Sequence, residues 1–388
     1  MKKIFLILLS SILFLFLVLI FPFISNTDEN IKVYNEIITE QKENIKEIDE
    51  EIEIIATGDI MYHLPIYINR FDTKTNTYEF KNHFSKIEDE FKKADLVIGN
   101  LETTIDVSRP PSGFPMFNTP KEALLELKNA GFDVLSTANN HCVDTLKGGI
   151  ISTIDEINKV GIKHFGTRKF DKRDNLIINI KGRKIGFIGY SELFNGMDSA
   201  LSSEDKFMIS PLNYDDIIND LTELRNRGAE FIICYPHWGV EYQSVPSSIQ
   251  EDFNKFLIDN GVDVVLGSHP HVPQEARFYN INGKKQFTIF SMGNFFSNQR
   301  TSYVKKPLVE SSVVVKLKLV SNSSGIKLKD VELVPMYVNK YNDEKGRTLE
   351  VVKYSDILDG GKYRDILTNQ DKNFVDDNYK KIMERLNK

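Results

Sequence analysis

The sequence predicts an α/β fold. Three observations carry this: short apolar runs rich in Ile, Val and Phe and bounded by glycine, helical segments between them, and polar side chains gathered where those runs end. Strands that are apolar throughout, without polar alternation, are those covered on both faces. Ile52–Ala56 reads as the first strand and leads into Gly58-Asp59. Phe84–Ala94 reads as a helix, and Asp95–Ile98 as a strand ending at Gly99-Asn100. Pro120 and Lys121 open a helix through Asn129, closed by Gly131, and Asp133–Ser136 is a strand leading to Asn139-Asn140-His141. A proline suits a first turn and a glycine suits the position after a last one.

Leu146–Val160 is helical up to Gly161, and Leu176–Ile180 with Lys184–Gly189 forms a hairpin about Lys181-Gly182. Two helix–strand pairs follow. Tyr214–Arg227 ends at Gly228 before Phe231–Tyr235, and Ser247–Asn260 ends at Gly261 before Val262–Leu266. Gln286–Ser291 is a strand reaching Gly293-Asn294. Beyond Gln299, Ser312–Val320 and Val331–Val338 alternate and are expected as antiparallel edge strands, and 346–388 mixes helix with polar tail. The expected organisation is a membrane segment at 1–26, a charged stalk at 27–51, one domain at 52–340 and a C-terminal appendage at 341–388.

Length and charge bound the function. A chain of 388 residues can bury a large core. Its net charge of −6 offers no basic face, which argues against a nucleic-acid partner. Lys2 and Lys3 precede an uncharged run from Ile4 to Ile24, and Asp28 and Glu29 follow it. About 20 apolar residues suffice to span a bilayer, and the lysines favour a cytoplasmic N-terminus. The exit at 23–27 lacks a small-x-small cleavage site, so an uncleaved signal anchor is preferred to a secretory peptide. The expected location is the cell membrane, single-pass, with the large domain extracellular. Cys142 and Cys234 read as small buried residues, with a disulfide as the alternative in an exported chain.

Six polar blocks carry the chemistry: Ala-Thr-Gly-Asp at 56–59 running on to His63, Gly-Asn-Leu-Glu at 99–102, Asn-Asn-His at 139–141, His-Trp-Gly at 237–239, Gly-Ser-His-Pro-His at 267–271 and Ser-Met-Gly-Asn-Phe at 291–295. Five of the seven histidines fall in them. Asp59, His63, Glu102, Asn140, His237, His269 and His271 are the candidate ligands of one or two divalent cations. Oxygen and nitrogen donors without thiolate suit Mn, Zn or Fe. In an extended His-x-His segment, side chains two apart share a face, so His269 and His271 can converge. Two ions about 3.5–4 Å apart could clamp a phosphoryl group and activate water. Each candidate has a plainer reading as well. Asp59 could cap a turn, Glu102 could pair with a lysine, and His141 could be a buried hydrogen-bonded ring. Asn100, Glu241, Gln274 and Asn294 divide between substrate contact and polar scaffold. Trp238 reads as packing, and His83 and His164 as structural.

Taken together in order, with Asp144 after His141 and Glu241-Tyr242 after His237, the blocks resemble the CapA family, the poly-γ-glutamate capsule biosynthesis proteins of the calcineurin-like metallophosphoesterase superfamily. The likeness spans about 53–300. It implies a four-layer α-β-β-α sandwich, with Asp59 as a metal aspartate, Asn140 as a ligand and His141 as an acid or transition-state stabiliser. It further implies His237 as the isolated metal histidine and His269 with His271 as the paired block. The chain departs from the superfamily pattern twice. Asp-x-His has become Asp59-x-x-x-His63, and the bridging aspartate is replaced by Asn100, with Glu102 two residues on. Two functions are therefore expected. One is a membrane-anchored capsule-biosynthesis or export protein that holds an anionic polymer such as poly-γ-glutamate near a membrane synthase. The other is a metal-dependent hydrolase acting on a phosphoester or a γ-glutamyl amide.

Overall fold

The computed structural model describes residues 50–323 and 325–386. The expected membrane segment and nearly all of the expected stalk lie outside the described residues. Among the described residues no helix is long and apolar enough to cross a membrane.

In chain order the strands are β1 (Glu50–Ile60), a small hairpin of β2 (Phe71–Asp72) and β3 (Thr77–Tyr78), β4 (Leu96–Leu101), β5 (Val134–Ser136), β6 (Lys163–Phe165), β7 (Leu176–Ile180) and β8 (Arg183–Ser191). They continue with β9 (Phe231–His237), β10 (Val264–Leu266), β11 (Ala276–Ile281), β12 (Lys284–Ile289), β13 (Asn294–Phe296), β14 (Ser311–Asn322), β15 (Gly325–Asp343) and β16 (Gly346–Lys353). The longer helices are α1 (Glu122–Ala130), α2 (Leu146–Lys159), α3 (Tyr214–Asn226), α4 (Ser248–Asp259) and α5 (Asn369–Leu386). One sheet has the order β16-β15-β14-β1-β4-β5-β6, with β13 also paired to β1, and the other has the order β11-β12-β10-β9-β8-β7.

The two sheets face each other. Ile54, Ala56, Ile98 and Val134 of the first meet Phe187, Ile233, Tyr235, Leu266 and Phe287 of the second in one core. The alternate residues Ile55, Val97 and Leu135 point outward against Leu124 and Leu127 of α1 and Ile157 of α2. On the far side Ile188, Ile232, Cys234 and Val265 pack on Ile217, Leu221 and Leu224 of α3 and on Leu257 and Ile258 of α4. The layers therefore run helix, sheet, sheet, helix, which is why the strands read as continuously apolar: successive side chains enter different cores. Helix starts follow local chemistry. The Asn213 side chain accepts from the Asp216 N–H at 2.8 Å before α3. Ser247 and Gln250 form a reciprocal capping box at α4.

Three expectations are corrected. Phe84–Ala94 is mostly tight turns, with helix only at Glu88–Phe91; Phe84, Ile87 and Phe91 are buried, so a helix-like spacing arises from plugging the outer core. β14 lies inside the sheet, antiparallel to both β1 and β15, so only β16 is an edge on that side. Its alternation comes from lysines rather than from an open face: Lys316 is only 15% exposed at its side chain and is paired with Glu90. Residues 341–388 are not an appendage, because β16 pairs with β15 and α5 buries Val375 and Ile382 in the core between the sheets. Ile382→Ala is expected to cost about 2–4 kcal/mol. Urea unfolding followed by far-ultraviolet circular dichroism should show one transition, shifted as a whole. A separate early transition with an unmoved main one would mean that α5 is peripheral.

Candidate metal centre

The polar blocks meet at the carboxyl ends of parallel strands, where open α/β sheets generally place their ligands. Asp59 is the penultimate residue of β1, Glu102 follows β4, and Asn140 and His141 lie beyond β5; these three strands are parallel neighbours. His237 ends β9, and His269 and His271 lie beyond β10, its parallel neighbour. The first sheet thus supplies the oxygen donors Asp59, Glu102 and Asn140, and the second supplies the imidazoles of His237, His269 and His271. Two glycines permit the close approach. A Cβ on Gly58 would lie 1.9 Å from the Gly293 carbonyl oxygen, and one on Gly267 would lie 2.0 Å from that of Phe290.

Two donor groups result, and they share one member. Glu102, His237 and His269 each present a ligand atom, as do Asp59, Glu102 and His271, and within each group these atoms lie within 4.8 Å of one another. His237 Nε2 is 3.0 Å from Asn140 Oδ1 and 3.1 Å from His269 Nδ1. His271 Nδ1 is 3.1 Å from Asp59 Oδ2. The convergence of His269 and His271 does not come from an extended segment, as their spacing suggested. Both lie in the left-handed region, at φ 95° and 59°, on a bend after β10.

Glu102 decides whether this centre fits a cation. It is fully buried, and neither carboxylate oxygen has a hydrogen-bond partner. The nearest ring nitrogens, on His237 and His271, stand 3.5 and 3.7 Å away, beyond hydrogen-bond length. Burial, with the charges of Asp59, Glu241 and Asp144 behind it, pushes the Glu102 carboxyl well above the usual range. Burial and the neighbouring rings of His269, His271 and His141 hold His237 well below the ordinary imidazole range, and burial with His271 and His141 brings His269 down to about 3. Neutral rings offer lone pairs but no counter-charge, so the cluster is a set of donors with an uncompensated buried acid. A divalent cation answers both needs.

The other sequence candidates fall around this centre. His141 donates from Nδ1 to Asp144 Oδ2 at 2.8 Å, and Asp144 Oδ2 also accepts from the Phe117 N–H at 2.6 Å. Phe117 meets the His141 ring edge-on at 4.7 Å. Asp144 is the partner that orients His141; its signal in the sequence is only its place three residues on. His63 belongs to neither donor group. Its Nδ1 stands 3.3 Å from Met61 O and 3.4 Å from the Asn298 nitrogen, and burial lowers it to about 4, with His271, His141 and Arg300 adding to the effect. Asn100 is a scaffold for the ligands: its amide donates to Asp59 Oδ1 at 2.9 Å and stands 3.3 Å from His237 Nδ1. Gln274 is engaged by the Gln243 and Val245 carbonyls and by Gln250. Asn294 donates to Gln299 and the Val309 carbonyl, and its Oδ1 is buried without a partner. Glu241 is exposed at the rim. Trp238 is buried and donates to the Phe290 carbonyl at 2.9 Å, a packing role. Cys142 and Cys234 are free, buried thiols.

A two-sheet α/β protein with a buried histidine–carboxylate centre at its strand ends is the class that fold and site define, and the comparisons place it among bacterial capsule-synthesis proteins. The family described as bacterial capsule synthesis protein PGA_cap matches residues 53–299, and the chain belongs to it. It is 25% identical over 305 residues to the capsule biosynthesis protein CapA of Bacillus anthracis, covering 75% of this chain and 69% of that one. It is 26% identical over 248 residues to the PGA biosynthesis protein CapA of Bacillus subtilis (strain 168), covering 62% of each. Among solved structures it is similar to the NAD nucleotidase NadN of Haemophilus influenzae at 14% identity and a TM-score of 0.45, covering 86% of this chain and 63% of that one. It is also similar to the calcineurin-like phosphoesterase YfkN of Bacillus subtilis at 13% identity and a TM-score of 0.40, covering 74% and 90%.

Two outcomes are expected here. Because Glu102 belongs to both donor groups, Glu102→Gln should lower metal content below that of either His237→Ala or His271→Ala, read by elemental analysis of purified protein; equal content in all three would remove its shared role. In chelator, the unfolded chain takes up protons below the ordinary imidazole value of 6.5 while His269 stays neutral to about 3, so stability is lost as pH falls through that window. Melting temperatures measured across it should fall, and His269→Gln should flatten the slope.

Proposed function

We propose that this protein is a capsule-biosynthesis protein whose large domain holds one or two divalent cations (Mn, Zn or Fe) between its two sheets. On this reading it uses the centre to retain the carboxylates of poly-γ-glutamate or a chemically related anionic polymer. The observation that carries the reading is Glu102, a fully buried carboxylate without a hydrogen-bond partner, common to both donor groups. The relatives named for capsule and PGA biosynthesis support the polymer assignment. A bound cation also reconciles a net charge of −6 with a polyanionic ligand. The uncharged run from Ile4 to Ile24 supports an anchor that keeps the domain outside the cell and beside a membrane synthase.

A specific observation favours a second reading, metal-dependent hydrolysis of a γ-glutamyl amide or a phosphoester. The Nδ1–H of His141 is fixed on Asp144, so in the neutral ring Nε2 carries the lone pair and can take a proton from the attacking water; the imidazolium so formed, held against the Asp144 carboxylate, can then hand that proton to a leaving group. Bound divalent metal would supply a Lewis acid that polarises the scissile carbonyl or phosphoryl oxygen. Asn139 holds the His141 backbone N–H at 3.1 Å and so fixes the turn on which the ring stands.

Metal content of the purified chain, polymer binding, and turnover of poly-γ-glutamate and a generic phosphodiester separate the readings. Retention requires that chelation weaken polymer binding; binding indifferent to chelation defeats it. Hydrolysis requires turnover that His141→Gln lowers by roughly 10²–10⁴-fold while metal content stays near wild type. An active protein that loses nothing in this variant would exclude His141 from the chemistry.

A further inference from the structure

Arg300 is 6% exposed, and none of its three guanidinium nitrogens has a hydrogen-bond partner. A buried guanidinium is normally paired, because it carries five donors and a charge that no pH change removes. Glu310, an acid of the same cavity wall, is engaged elsewhere: its two oxygens accept from the Thr301 N–H at 2.6 Å and the Thr301 hydroxyl at 2.8 Å. Arg300 lines a cavity of about 400 Å³ together with Thr301, Glu310, Tyr337, Lys340 and Asp371.

The cavity belongs to neither donor group, yet its segment starts at the metal centre. Asn294 is in register with Asp59, the Asn298 nitrogen lies 3.4 Å from His63 Nδ1, and Gln299 donates to the Tyr242 hydroxyl at 3.3 Å. The Tyr242 ring is 6.0 Å from that of His271. Arg300 follows directly.

We propose that the Arg300 cavity is a second, carboxylate-recognising subsite, in which the guanidinium fork, whose nitrogens are closed to solvent in the ligand-free protein, turns into the cavity and takes one carboxylate of a glutamyl-type ligand. The planar fork matches a carboxylate bidentately. With Lys340 turned onto Tyr303, Glu310 and Asp371 on the cavity wall oppose a doubly charged phosphate and suit a ligand that carries an ammonium beside its carboxylate, as an amino acid or a chain end does. The glutamyl identity rests on the polymer reading above; carboxylate recognition does not.

Calorimetric titration of the full chain with free glutamate, a short γ-glutamyl oligomer and inorganic phosphate tests this in wild type, Arg300→Gln and Arg300→Lys. Arg300→Gln is expected to weaken carboxylate binding by about ten- to a hundredfold, the loss of charge-assisted hydrogen bonds. Its metal content should equal wild type, and the ligand-free variant should melt higher, because a buried unpaired charge is gone. Arg300→Lys keeps charge without the fork and should fall between them, and it carries the comparison if the glutamine variant does not fold. Binding of glutamate alone assigns a free amino acid, and binding of the oligomer as well assigns the polymer; both sustain the subsite. Equal affinity in wild type and variants, no carboxylate binding to wild type, or tighter binding of phosphate overturns it. His271→Ala distinguishes this from the metal reading, since it should lose metal and keep the Arg300-dependent binding.

Discussion

The structure turns on a carboxylate that has been taken out of water without a partner. Glu102 stands between two sheets, flanked by Asp59 and by rings that burial keeps neutral. An isolated ionised acid in such a place is heavily penalised, and the usual remedy of hydrogen-bond donors is absent around it, with only the His237 and His271 rings at 3.5 and 3.7 Å. The surrounding donors are arranged so that a cation is the remedy that satisfies the most of them at once. A protein built this way has its stability and its ligand chemistry bound together, since whatever fills the centre also relieves the fold.

Much of the scaffold exists to make that arrangement possible. Parallel strands deliver side chains to one end, and the glycines at 58 and 267 let neighbouring backbone come closer than any side chain would allow. Tyr235 ties the sheets together by donating to the Thr57 carbonyl, directly beneath the donor set. Asn100, through Asp59 and His237, joins one ligand from each sheet. The polar groups just behind the ligands therefore do structural work, which is why Asn100 and Gln274, read as possible substrate contacts, turn out to be hydrogen-bonded within the protein.

The strand ends were legible because glycine-bounded apolar runs carry their own punctuation, and the polar blocks followed directly. What each block contributes was less legible. The family resemblance implied that a bridging aspartate was missing but could not show that Glu102 lies in both donor groups, since that depends on two sheets docking. His269 and His271 read as an extended pair, and only the backbone reveals two left-handed residues in a bend. The start of the C-terminal quarter was misread for a physical reason: a lysine such as Lys316, whose stem is covered and whose end pairs with Glu90, looks in sequence like the open face of an edge strand. Arg300 carried no signal at all, because a lack of partners is a property of space.

The division of labour between the sheets bears on how the chain matures. The acids and amides come from the N-terminal sheet strands and the three ligand imidazoles from the later ones, with Asp59 and His271 separated by 212 positions. A nascent chain therefore exposes its carboxylates long before any ring that could complete either set. On the proposed reading, ion capture would therefore be a late event that certifies the docking of both halves, and a truncated or misassembled copy would emerge without it.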